Sequence, residues 1–240
     1  MIYRLEDLGC GEGLRKILQE EISESEIAAI ESTIRPFIEI TAVAAKTSAI
    51  LPWQSRFGGM PYLPLGTQYP FIEGKPAPLV AQINFAEVPP LEGFPTKGIL
   101  QFYIVDKPPE EWNRSWTDIQ TPNALSYDEI LELAGVKILF FPDPILAIDA
   151  LITDFSFLPQ FEYPPVPTIH YLRFQKKLAP MNEGALKSLE RLQENEYFLE
   201  NYDAAIHEIW QRSHDDSMLE EALNLLRGDG HKLGGYPAFR

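Results

Sequence analysis

Leu79-Val80-Ala81-Gln82-Ile83-Asn84-Phe85 is the segment that decides the fold. After its first residues it alternates, with Leu79, Ala81, Ile83 and Phe85 on one side and Gln82 and Asn84 on the other, which is the period-two signature of a strand. Downstream, Ile99-Leu100-Gln101-Phe102-Tyr103-Ile104-Val105 is apolar on both sides, as a central strand would be. The segment between them holds Pro89-Pro90 and Glu92-Gly93-Phe94-Pro95 and is too long for a tight hairpin.

Upstream, residues 47–78 carry many turn signals and little periodicity, and read as a long ordered loop. Inside that loop, residues 56–63 are Arg-Phe-Gly-Gly-Met-Pro-Tyr-Leu, and near the end of the chain residues 232–239 are Lys-Leu-Gly-Gly-Tyr-Pro-Ala-Phe. The same pattern is written twice: a cation, an apolar residue, Gly-Gly, a bulky residue, proline, a spacer, an apolar residue. An ancestral duplication is the simplest source of such a repeat.

Further out, Ser23 with Glu26 makes a capping box for a helix over 24–35, with Ile27, Ile30 and Ile34 on one face and Pro36 as its stop. Residues 37–43 read as a strand by their β-branched content. Ser126 and Glu129 box a short helix to Leu133, and Val136–Phe141 is a strand ended by Pro142. Strand-like pieces at 151–157 and 169–174 are separated by prolines. From about residue 183 the spacing turns helical, through Leu186, Leu189 and Leu192, then Phe198 to Trp210, then Ser217 to Leu226. The expectation is an α+β fold, mainly antiparallel sheet with flanking helices. It forms a single domain of two repeats, the first over about 24–175 and an incomplete second over about 183–240.

The Gly-Gly pairs Gly58-Gly59 and Gly234-Gly235 offer two readings. They could present backbone N–H groups to an anion or a carboxylate, aided by Arg56 or Lys232. Alternatively, glycine permits a positive-φ turn and the close approach of two chain segments. The structural reading is favoured, because neither copy has a dinucleotide fingerprint or a P-loop. Trp53, Tyr62, Tyr69 and Phe71 flank the first copy as groove lining or as a satellite core under a long loop. His231 and Tyr236 adjoin the second.

Catalytic signatures are sparse. His207 and His214 lie about 10 Å apart along a helix axis, too far to share a metal ion. Cys10 has no recognisable partner, no serine lies in a GxSxG elbow, and any choice of carboxylate pair is arbitrary. No cofactor or metal is expected.

With 240 residues and a net charge of −15, the chain repels phosphate backbones and anionic headgroups, so general nucleic-acid or membrane-surface binding is not expected. One cysteine excludes an intrachain disulfide, which fits a reducing cytoplasm. The N-terminus has no signal-peptide pattern and no apolar run approaches ~18 residues. Proline is abundant, with 21 residues falling between apolar runs, which predicts interrupted strands.

Ser55–Pro64, followed by Pro78–Asn84 and Gly98–Tyr103, and closed by His231–Pro237, resembles the YwqG-like family of bacterial proteins. The resemblance implies an α+β fold with no established activity. Proteins of that family continue past the second signature with further strands, so the resemblance implies a truncated chain and a sheet edge open to self-association or to a partner. The leading expectation is a cytoplasmic binding or protein-interaction module. Its groove lies near the two Gly-Gly-x-Pro loops, formed by Trp53, Arg56, Gly58, Gly59, His231, Lys232, Gly234, Gly235 and Tyr236, and takes an unknown protein or small-molecule partner. The rival is a hydrolase-like or transferase-like enzyme using His231 with a carboxylate such as Asp229.

Overall fold

The structure is a computed structural model that describes residues 3–8, 15, 16, 18, 19, 23–45, 50–107, 135–181, 207 and 230–235. Among the described residues there are nine strands: β1 (Arg35–Ala44), β2 (Arg56–Phe57), β3 (Phe71–Ile72), β4 (Lys75–Pro76), β5 (Leu79–Asn84), β6 (Ile99–Ile104), β7 (Val136–Phe141), β8 (His170–Ala179) and β9 (His231–Gly234). Seven of them are hydrogen-bonded in the order β7-β6-β5-β2-β8-β1-β9, and β3 and β4 form a separate hairpin. Helix α1 (Glu24–Ser32) is the one α-helix whose extent the described residues define.

This corrects the expected α+β class. Among the described residues the protein is mostly antiparallel sheet, and flanking helices are not part of it. At the junction of α1 and β1 the helix signal gives way to sheet pairing. The helix expected over 24–35 gives up its last turn: it closes through short bonds from Thr33 N–H and Ile34 N–H to the Ile30 and Glu31 carbonyls, 3.0 and 3.1 Å, and β1 starts at Arg35. Pro36 has no N–H to extend a helix, and the β-branched run behind it pairs with β9. The helices expected over 126–133 and from 183 to 226 lie outside the described residues, as does Cys10. No described helix is long and apolar enough to cross a membrane.

The chain divides into two compact units. One comprises Met1–Ile40 with Phe174–Arg240. Its buried apolar residues include Leu5, Leu18, Ile27, Ile30 and Ile38. Arg15 there holds Glu31 and Glu24 at 2.8 and 3.0 Å, and Glu31 also accepts the Leu5 N–H.

The other unit is Thr41–Arg173 and contains β2 to β7. Strands β5, β6 and β7 pair antiparallel, with a register shift between Leu79 and Ala81 on β5. The β3–β4 hairpin turns at Glu73-Gly74, both at positive φ (50° and 76°), as a two-residue hairpin turn that follows the strand twist requires. One core cluster gathers Leu63, Tyr69, Ile72, Leu79, Tyr103 and Val105. A second gathers Tyr62, Ile99 and Leu151, with Trp53 and Phe141 against it. Tyr62 meets Phe141 edge to face, ring centroids 5.2 Å apart. The strand-like piece expected at 151–157 is reduced to a single bridge between Pro64 and Leu151. The one expected at 169–174 is the start of the longer β8.

Candidate functional site

The first Gly-Gly-x-Pro loop sits on a row of polar side chains that crosses three strands. Arg56 on β2 lies opposite Gln82 on β5, and Gln82 lies opposite Gln101 on β6. Residues directly opposite in an antiparallel sheet project to the same face, so the three form one line. All are buried: Arg56 is 5% exposed and both glutamines 0%. A buried amide or guanidinium without partners costs several kcal/mol. Here the partners are the backbone groups of residues 51–62.

Gln82 uses its full bonding capacity. Its Nε2 donates to the Pro52 and Gln54 carbonyls, both at 2.8 Å, and its Oε1 accepts the Tyr62 N–H at 2.7 Å and the Gln101 Nε2 at 2.8 Å. Gln101 Nε2 also donates to the Tyr62 carbonyl at 2.7 Å, and its Oε1 accepts the Tyr103 hydroxyl at 2.8 Å. Two residues along from Gln82, Asn84 donates through Nδ2 to the Trp53 carbonyl at 3.0 Å and accepts the Ala86 N–H at its Oδ1. Asn84 N–H donates to Ser55 Oγ at 2.8 Å, and Ser55 N–H to Glu87 at 2.9 Å.

Arg56 completes the set. Its Nε donates to the Gln54 carbonyl and its Nη1 to the Met60 carbonyl, each at 3.2 Å, and its Nη2 donates to the Leu51 carbonyl. Carbonyls 51 to 54 are thus all taken by side chains of the sheet. Burial pulls the Arg56 guanidinium down to about 10, with Glu87 opposing the shift, and it stays charged at neutral pH. In this copy the cation of the motif braces the chain itself.

The glycines both turn the chain and admit a neighbour. Gly58 and Gly59 have φ of 67° and 75°, and a Cβ on them would come within 2.9 Å of the Val166 carbonyl oxygen and the Ile169 side chain. In the second copy Gly234 and Gly235 have φ of 72° and 68°, and a Cβ on Gly235 would meet Phe37 Cβ at 3.0 Å. The local pairing matches as well. Arg56 and Phe57 lie opposite Tyr171 and His170, as Lys232 and Leu233 lie opposite Glu39 and Ile38. Over the described residues 232–235 the second copy therefore matches 56–59 of the first in pairing and in glycine backbone.

The expected site residues fall into two sets. Trp53, Arg56, Gly58 and Gly59 belong to the unit Thr41–Arg173, and His231, Lys232, Gly234 and Gly235 to the other. His231 is exposed on β9 opposite Ile40, and Tyr236 and Asp229 lie outside the described residues. Among the described residues no three His, Cys, Asp or Glu side chains gather to hold a metal ion. Sequence reasoning missed Gln82, Asn84 and Gln101 as a working set. Their signal was polar residues inside strands otherwise built for burial.

An antiparallel sheet whose buried polar side chains brace a glycine-rich loop defines no reaction by itself. The chain belongs to the family described as domain of unknown function (DUF1963), whose model matches residues 55–240. No curated protein matches the sequence.

Proposed function

We propose that the protein is a non-enzymatic binding module of the cytoplasm with a recognition surface at the first Gly-Gly-x-Pro loop. The observation that carries this reading is Met60. It stands 47% exposed between Gly59 and Pro61 while its carbonyl is held by the buried Arg56. A large apolar side chain on a loop fixed in advance loses little conformational freedom on binding, which is how rigid loops gain affinity. Leu51, whose carbonyl Arg56 also holds, is similarly exposed.

The partner is a protein segment or a small molecule, since a net charge of −15 opposes nucleic acid and anionic membranes. The matching geometry of the two Gly-Gly pairs supports duplication as their origin. The YwqG-like assignment is part of the same proposal. A hydrolase-like or transferase-like enzyme using His231 with a nearby carboxylate such as Asp229 is the alternative.

Affinity capture with wild type, Met60→Asp and Lys232→Ala tests the proposal. Loss of one specific partner with Met60→Asp, while the variant unfolds at the wild-type denaturant midpoint, is the expected result. Identical capture by all three proteins contradicts it.

A further inference from the structure

We propose that the outer edge of β7, with the cleft beside it, docks an extended peptide segment of another protein that carries an acidic side chain. This surface is separate from the Gly-Gly loop. β7 pairs with β6 along all six residues in unbroken register and, among the described residues, with no strand on its other side. Natural edge strands are usually blunted by proline, a bulge or several charges. Val136-Lys137-Ile138-Leu139-Phe140-Phe141 has no proline and a single charge, so nothing in its own sequence blocks a further strand.

An open cleft of about 360 Å³ lies alongside, lined in part by Gln68, Tyr69, Phe71, Lys137, Leu139 and Phe140. Phe71 and Phe140 keep 42% and 45% of their surface exposed, which leaves apolar walls for an inserted side chain. Lys137 is exposed, and no carboxylate pairs with it among the described residues. In strand addition the main chain supplies affinity while alternate side chains supply specificity. Here the cleft takes an apolar side chain and Lys137 a carboxylate.

Charge decides the occupant. A β7–β7 pairing with a second copy would leave Lys137 without a carboxylate, because β7 contains no acidic residue to face it. A foreign acidic strand supplies the carboxylate that faces Lys137.

Short random peptides displayed on phage, selected against the full chain, test this. The expected winners alternate apolar residues with at least one Asp or Glu. As synthetic peptides they should bind Lys137→Glu about tenfold more weakly than wild type. They should also lose binding when N-methylated at alternate residues, and bind Met60→Asp unchanged. Lys137 is exposed, so the variant's circular dichroism should match wild type. The proposal is overturned if no peptide is enriched or if the winners ignore Lys137→Glu. It is equally overturned by a dimer in sedimentation that Lys137→Glu dissolves.

Discussion

Tyr62 is held at both ends of its main chain by two glutamines: Gln82 Oε1 accepts its N–H and Gln101 Nε2 donates to its carbonyl, each at 2.7 Å. The loop carrying the first Gly-Gly pair is therefore hydrogen-bonded to sheet side chains on either side of β2, the short piece that itself pairs with β5 and β8. Its order rests on side-chain amides, and single substitutions can remove them.

Gln82→Leu is the first of these. It keeps much of the volume but leaves the Tyr62 N–H, the Pro52 carbonyl and a Gln101 N–H without their present partners. Each buried orphan costs about 1–3 kcal/mol, so the loss should be ~3 kcal/mol or more. Urea unfolding should show a lower midpoint with an unchanged slope.

Arg56→Lys should not rescue what Arg56→Met loses. The guanidinium reaches three carbonyls from a fixed planar fork, whereas an ammonium is a point charge that leaves some of them bare and is itself costly to bury. Both variants should lose about 2 kcal/mol, with Lys no better than Met. A lysine variant as stable as wild type in the same unfolding assay would show that charge alone holds the loop.

Glycine substitutions separate backbone strain from crowding. Gly66 has φ of 83° with nothing near its Cβ position, so Gly66→Ala should cost only the left-handed backbone, about 1–2 kcal/mol. Gly58→Ala adds a 2.9 Å approach to the Val166 carbonyl oxygen and should cost clearly more. Equal thermal shifts for the two would mean that the Val166 segment gives way freely.

High pH should unfold the protein. Burial pushes the Tyr69 and Tyr103 phenols above their ordinary value of 10, and at Tyr103 the neighbouring Tyr69 adds to the effect. Above pH 10 the unfolded chain releases two protons that the folded chain keeps. That stabilisation is full below pH 10 and is lost as the pH rises. Arg56 acts in the opposite sense, because between about 10 and its ordinary 12.5 the unfolded chain holds one proton more. Two groups against one gives a net loss of stability. A phenolate absorbance titration should show a late component that coincides with loss of the sheet signal. Titration of every tyrosine near pH 10 with the fold intact would contradict it.

How far the sequence announced this arrangement differs by element. β5, β6 and β7 are legible because alternation, flanking glycines and Pro142 mark them, and the observed strands fall within a residue of expectation. Alternation places Gln82 and Asn84 on a polar side, which by default means solvent. They are buried, because the loop over 51–62 covers that face and supplies carbonyls to it. Alternation cannot distinguish water from a polar loop as the partner. β2, two residues long, exists only through its neighbours β5 and β8 and carries no periodicity of its own. The Gly-Gly pairs were legible as special backbone positions. That Arg56 faces inward was not, since burial of a cation depends on carbonyls brought together by the fold.

Amide hydrogen exchange at Tyr62 tests the central claim, that buried side-chain amides of the sheet hold the first Gly-Gly-x-Pro loop. The Tyr62 N–H should exchange as slowly as the amides of β5 in the wild type. In Gln82→Leu its protection should fall while the β5–β6 ladder stays protected. Fast exchange at Tyr62 in the wild type, or protection unchanged in Gln82→Leu, would contradict it.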